Sequence, residues 1–163
     1  MKQEYLIKKL KTGGKLAQLE WEEGYALGCV EENEDVWVWK LNKDFELVRN
    51  QESGNHQVWD ATADDLDTDT WLTAVNLKME HILKLGFKHD KITDLYKFKT
   101  KFIKIEPLEN HFNIYFKYTG NYVWEKKHKI KFLHEFIENC RLNSIKLPID
   151  IKTECLEEFD KSL

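Results

Sequence analysis

Val36-Trp37-Val38-Trp39-Lys40-Leu41 stands between two polar breaks, Glu32-Asn-Glu-Asp35 before it and Asn42-Lys-Asp44 after it. A short run of β-branched and aromatic residues favours a strand, and the flanking Asn, Asp and Glu clusters supply turns. The neighbouring runs repeat the pattern. Lys15–Trp21 and Tyr25–Val30 precede it, separated by Glu22-Glu-Gly24, and Phe45–Arg49 follows. Four short strands joined by tight turns read as an antiparallel β-meander. Trp37 and Trp39 share one face of the central strand and Val36, Val38 and Lys40 the other, so both faces are mostly apolar. Such a strand wants cover on both sides, from core packing, a second copy of the chain or a flat ligand.

Outward from the meander, Lys2–Lys11 reads as a short amphipathic helix with Leu6 and Leu10 on one face, stopped by Gly13-Gly14. Gln51–His56 is a polar loop. The segment Trp59–Trp71 should hold one turn of helix, with Thr62 as cap, before a closing strand near Trp71–Ala74. A change of composition near Val75–Lys78 then marks a boundary. Beyond it, Asn76–Leu85 reads as a helix ended by Gly86, and strands are expected at Leu95–Phe98, Phe102–Ile105, Phe112–Tyr118 and Tyr122–Trp124. Phe132, Leu133, Phe136, Ile137 and Cys140 recur at helical spacing, which makes Lys131–Leu142 an amphipathic helix packed on that second sheet. Thr153 is placed to cap a last helix running to Lys161. The expected fold class is therefore α+β, with two small domains at 1–75 and 76–163. Each would be an antiparallel β-meander with one or two packed helices.

Charge divides at the same place. Residues 1–75 hold 8 Lys and Arg against 16 Asp and Glu, whereas 76–163 hold 17 against 13. An acidic first half is repelled by nucleic acid and attracted to basic partners. No run approaches the roughly 18 apolar residues of a membrane span, and Met1–Gly14 lacks a secretion signal's apolar core, so the expectation is a soluble protein of the cytoplasm with no membrane partner. Cys29, Cys140 and Cys155 are odd in number and widely spaced, which fits reduced thiols.

Tests for catalytic and metal chemistry return little. Asp65, Asp67 and Asp69 alternate as in a calcium loop, but Thr70 stands where the loop needs Gly and Asn76 where it needs Glu. None of His56, His81, His89, His111, His128 and His134 has metal-ligand spacing to another His or to Cys; His134 and Cys140 lie about 240° apart on a helix. Cys140, on the apolar stripe, reads as a core thiol. Phosphate-binding Gly-rich loops and nucleophile elbows are missing. The expectation is a protein that binds rather than catalyses, with no cofactor and no metal. One further pattern is basic: Lys97, Lys99 and Lys101 alternate as on one strand, and Lys126, Lys127 and Lys129 follow Tyr118, Tyr122 and Trp124. Lysines interleaved with aromatics suit single-stranded nucleic acid, although such runs also serve as solvated sheet edges.

The helix Tyr5–Leu10, the stretch Gly13-Gly-Lys-Leu-Ala-Gln-Leu-Glu-Trp21 and the acidic segment from Trp59 to Trp71 together resemble the Thoeris anti-defence 2 family over about residues 3–74. That family's pattern is a short helix, Gly-Lys-x-Val-Ala-Arg-x-x-Trp, a β-meander and an Asp-Leu-Leu-Ala-x-Asp-Trp ending. Trp21, Asp65, Leu66 and Trp71 fall on its Trp, Asp-Leu and final Trp. The second half resembles a C-terminal module of phage accessory proteins. By this resemblance the chain is a phage or prophage counter-defence protein that acts without catalysis and forms oligomers. Two mechanisms follow from it. One is a sponge for a cyclic ADP-ribose-type immune signal, with Trp21, Trp59 or Trp71 stacking on adenine. The other is inhibition of a bacterial immune nuclease such as Cas9, through an acidic face of Glu31, Glu32, Glu34, Asp35, Asp64, Asp65, Asp67 and Asp69 that mimics DNA. Gln18 replaces the family's Arg and Thr70 its penultimate Asp, which removes a phosphate-binding cation and favours the inhibitor.

Overall fold

The computed structural model describes residues 8–9, 15–18, 25–29, 36–41, 47–48, 58–59, 71–117 and 124–163. The fold is α+β, with two antiparallel sheets and three helices among the described residues. In the first sheet, strands β1 (Leu16–Gln18), β2 (Tyr25–Cys29), β3 (Val36–Leu41) and β4 (Leu47–Val48) form the expected meander. Strand β3 is its pivot. It pairs with β2 from Cys29↔Val36 to Tyr25↔Lys40, and its other edge is shared by β4 and by β5 (Val58–Trp59). The polar and acidic sequence around β5 conceals that strand. Strand β6 (Trp71–Thr73) returns to β1, with Gln18 opposite Trp71 and Leu16 opposite Thr73. Residues 8–9 are helical, and the rest of the expected opening helix lies outside the described residues, as does the turn at Thr62.

The second sheet follows chain order: β7 (Lys88–Asp90), β8 (Leu95–Phe98), β9 (Lys101–Pro107), β10 (Phe112–Lys117) and β11 (Trp124–Ile130). Period-two alternation sends Ile103, Ile105, Ile114, Phe116 and Ile130 to one face, where they are buried. The last strand is a correction to the sequence reading. It extends through Glu-Lys-Lys-His-Lys-Ile rather than ending at Trp124, because edge strands tolerate lysines that a central strand would not. The opposite edge, β7, is also charged and equally hidden in the sequence.

Helices α1 (Met79–Lys84), α2 (Leu133–Leu142) and α3 (Thr153–Lys161) contribute Ile82, Leu133, Phe136, Ile137, Cys140 and Leu156 to a core shared with the second sheet. Helix α1 starts later than the periodicity predicts. Leu77 N–H donates to Lys131 O at 2.7 Å and Leu133 N–H to Val75 O at 2.8 Å, so 75–77 run extended beside 131–133. The helix begins only where the His81 ring reaches back, its Nδ1 accepting the Lys78 N–H at 2.9 Å. It ends before Gly86, whose φ of +114° suits a residue without Cβ; an added Cβ would lie 3.2 Å from the Phe98 ring. Helix α2 uses the same N-terminal device, with Glu135 Oε1 accepting the Phe132 N–H at 2.9 Å.

The composition boundary near residue 75 is bridged by packing. Leu72 and Val75 belong to the same buried cluster as Phe87, Ile114 and Leu156. Thr153 has a part in this that the sequence reading missed. Instead of capping α3, it is the helix's first residue, after the cap position Lys152, and its Oγ1 accepts the buried Thr73 N–H at 3.1 Å. Replacing Thr153 by Ala leaves that donor buried without its acceptor, and the expected loss is about 1–3 kcal/mol in urea unfolding. Thr153→Ser, which keeps the oxygen, should recover most of it; equal losses in both variants would contradict this account.

Candidate basic and aromatic sheet face

Residues alternating with the buried isoleucines of β9 point to the other face of the second sheet, and strand register assembles them into rungs. Lys88 pairs with Lys97 and Lys97 with Phe102. Lys104 pairs with Tyr115 and Tyr115 with Lys127, while Glu106 pairs with Asn113 and Asn113 with Lys129. Directly opposed residues in antiparallel strands share a face. Among the described residues this surface holds five lysines and two aromatic rings and crosses all five strands, with Asp90 and Glu106 as acids on it.

Within the rungs, cations lie against rings. Lys97 Nζ is 5.6 Å from the Phe102 centroid, and Lys104 Nζ is 5.2 Å from that of Tyr115. Lys88, Lys97, Lys104 and Lys127 are exposed, and Phe102 and Tyr115 are half-buried. None of those four lysines has an ion-pair partner among the described residues. Tyr115 is held in place by its hydroxyl, which donates to Glu106 Oε1 at 2.5 Å; that hydrogen bond pushes the phenol pKa up. The Glu106 charge is thereby engaged within the face. The arrangement offers flat rings at fixed spacing between mobile ammonium groups, which can hold phosphates while bases stack.

The lysines singled out from sequence are redistributed. Lys97 is on this face. Lys99 is not on a strand at all: with Thr100 it makes the two-residue turn between β8 and β9, at a φ of 53°, and its Nζ lies 5.5 Å from the Phe98 ring. Lys101 opens β9 opposite Phe98, on the core-facing side. The expected strip Lys97-Lys99-Lys101 is thus broken by a hairpin that the alternating lysines disguise. Lys127 and Lys129 are on the face, and Lys126 lies between them and Trp124 in β11. Sequence reasoning missed Lys88, Phe102, Lys104 and Tyr115. The signal for three of them was present, in the alternation Phe102-Ile-Lys104-Ile-Glu106 and in Tyr115 between Ile114 and Phe116.

No protein-family model, curated protein or solved structure matches this chain.

The sites expected in the first half fare unevenly. Trp59 pairs with Val36 and Trp71 with Gln18 in the first sheet. Trp21, Glu31, Glu32, Glu34, Asp35, Asp64, Asp65, Asp67 and Asp69 lie outside the described residues. Among the described residues, no three His, Cys, Asp or Glu are grouped to hold a metal, and no helix is long and apolar enough to cross a membrane. Cys140 is fully buried, and burial pushes its thiol pKa up, which keeps it protonated and unreactive.

His134, although off the apolar stripe of α2, is also buried, stacked on Phe132 with ring centroids 5.6 Å apart. Burial pulls its pKa down to about 4. Folding therefore keeps it neutral while the unfolded chain, at about 6.5, takes up a proton. The sign follows: stability is full above pH 6.5 and falls as the pH drops toward 4, by about 3 kcal/mol at about 1.4 kcal/mol per pKa unit. Urea midpoints at pH 7 and pH 4.5 should differ accordingly. His134→Leu should remove most of that slope, and an unchanged slope would sink the assignment. Desolvation also lowers the pKa of His81, against the opposing pull of Asp160, so His81 adds to the slope in the same direction.

Proposed function

We propose that this chain is a non-enzymatic binding protein whose second sheet binds single-stranded nucleic acid on the face of Lys88, Lys97, Phe102, Lys104, Tyr115, Lys127 and Lys129. The observation that supports it is the register. Five strands bring ring and ammonium groups from separate parts of the sequence onto one surface, with four exposed lysines lacking ion-pair partners among the described residues. Counterion release from phosphates supplies affinity, and stacking on Phe102 and Tyr115 selects unpaired bases over duplex. The test is fluorescence anisotropy with a labelled oligo(dT) and the matching duplex at low ionic strength. Preferential binding of the single strand supports the reading, and absence of binding to either ends it.

A second reading keeps the counter-defence role. It is favoured by the pairing of Gln18 with Trp71, which sets the two stretches that resemble the Thoeris anti-defence 2 opening and closing motifs side by side. In this reading 1–75 is an acidic domain and 76–163 a basic one, each a meander with one or two helices, and the protein acts in the host cytoplasm. The acidic domain would engage a basic groove of an immune nuclease such as Cas9, or, as a homo-oligomer, a cyclic ADP-ribose-type signal. Native mass measurement after incubation with guide-loaded Cas9 and, separately, with cyclic ADP-ribose isomers distinguishes the two mechanisms. No shift with either removes this reading and leaves the nucleic-acid reading intact.

A further inference from the structure

A cleft, distinct from the basic sheet face, lies where the first sheet meets α3. It has a volume of about 360 Å³, and its lining includes Lys9, Lys15, Lys78, Lys161, Glu157 and Asp160 around Thr73. Four ammonium groups and two carboxylates thus share one small space. The carboxylates are already engaged: Lys9 Nζ lies 3.4 Å from Glu157, and Asp160 takes both Lys78 Nζ at 3.5 Å and the His81 Nε2 hydrogen bond at 2.9 Å. Because His81 Nδ1 accepts the Lys78 N–H, the ring proton sits on Nε2 and is donated to Asp160. Lys15 and Lys161 are left without an ion-pair partner among the described residues.

The backbone fixes where those two residues stand. Lys15 O accepts the Ala74 N–H at 2.8 Å, which ties Lys15 to the end of β6. Thr153 Oγ1 holds the neighbouring Thr73 N–H, which ties β6 to the start of α3. Lys161 is the last residue of that same helix. A surplus of two cations among the described lining residues, with Lys15 just before β1 and Lys161 at the end of α3, favours a dianion over a monoanion. The volume exceeds what inorganic phosphate fills and falls at the small end of organic ligand sites.

We propose that this cleft binds a small phosphate monoester, its dianion held between Lys15 and Lys161. Lys9 and Lys78 take part through their pairs with Glu157 and Asp160, as fixed walls of the site. The binding stands apart from the nucleic-acid face, which it shares no lysine with.

Isothermal titration of the full chain with AMP, inorganic phosphate and adenosine tests this. The expected result is binding of AMP, weaker binding of phosphate and none of adenosine. Lys15→Gln and Lys161→Gln should each weaken AMP by about tenfold, with circular dichroism unchanged because both side chains reach solvent. The variant Lys97→Glu/Lys104→Glu/Lys127→Glu should bind AMP like the parent, which separates this site from the sheet face. Adenosine binding as well as AMP, equal AMP affinity in the Lys15 and Lys161 variants, loss of AMP binding in the sheet-face variant, or no heat with any probe at millimolar concentration would each overturn the proposal.

Discussion

Phe136→Ala is expected to cost about 3–5 kcal/mol of stability, the range for emptying a buried aromatic position. The ring is fully buried on the core side of α2, 5.7 Å from the Phe87 ring, which in turn lies 5.2 Å from Phe98. That chain of rings joins α2 to the segment after α1 and to the strand β8. The cavity left by Ala lies in a buried cluster that includes Ile103, Ile114 and Leu133, residues on a sheet and a helix that cannot collapse inward without breaking backbone pairing. Urea unfolding followed by tryptophan fluorescence and circular dichroism measures the loss. A drop below about 1 kcal/mol would show that the ring is not packed as described. Phe136→Leu should lose less than Ala, since it refills part of the volume.

The second sheet owes its two-sidedness to alternation, and this is where the sequence was most readable. Three of its five strands, β8 to β10, were legible because β-branched and aromatic residues mark them, and Phe112–Lys117 was located almost to the residue. The amphipathic helix over Leu133–Leu142 was equally plain from its apolar spacing. Val36–Leu41 was read with its observed bounds because turn residues close it on both sides. What resisted reading was decided by pairing partners distant in sequence. Asn76 looks helical from its neighbours, yet its backbone is claimed by Phe132. Thr153 looks like a cap, yet its oxygen is claimed by Thr73, 80 residues away.

The candidate site was half legible for the same reason. Lys97, Lys127 and Lys129 were marked by charge, but Lys99 and Lys101 carry the same charge and lie in a turn and on the core-facing side. Charge counts lysines without knowing where a hairpin reverses. Phe102 and Tyr115 were assigned to strands as apolar matter, and only the register sets them beside Lys97 and Lys104. The lysine-rich run in β11 illustrates the converse: a stretch read as a basic cluster beyond the last strand is itself a paired edge strand, and the pairing is what aligns its charges with those of β9.

Reversing three of those charges has the largest expected functional effect. In Lys97→Glu/Lys104→Glu/Lys127→Glu, three phosphate contacts are lost and three repulsions added on rungs that span β8 to β11. At about 1.4 kcal/mol per contact the affinity for oligo(dT) should fall by about three orders of magnitude. The fold should survive, because these side chains are exposed and none belongs to the buried cluster. The cation–π contacts of Lys97 and Lys104 are lost with the charge, at a cost of about 0.5–1 kcal/mol each for exposed pairs.

The direct measurement is the slope of log affinity for oligo(dT) against log salt, taken for the parent and the triple variant. Each phosphate contact to a single strand contributes about −0.7 to that slope. A steep negative slope is expected for the parent, shallower by about 2 in the variant. Equal slopes and equal affinities in the two proteins would contradict it, because binding would then reside somewhere other than the face built by β7 to β11.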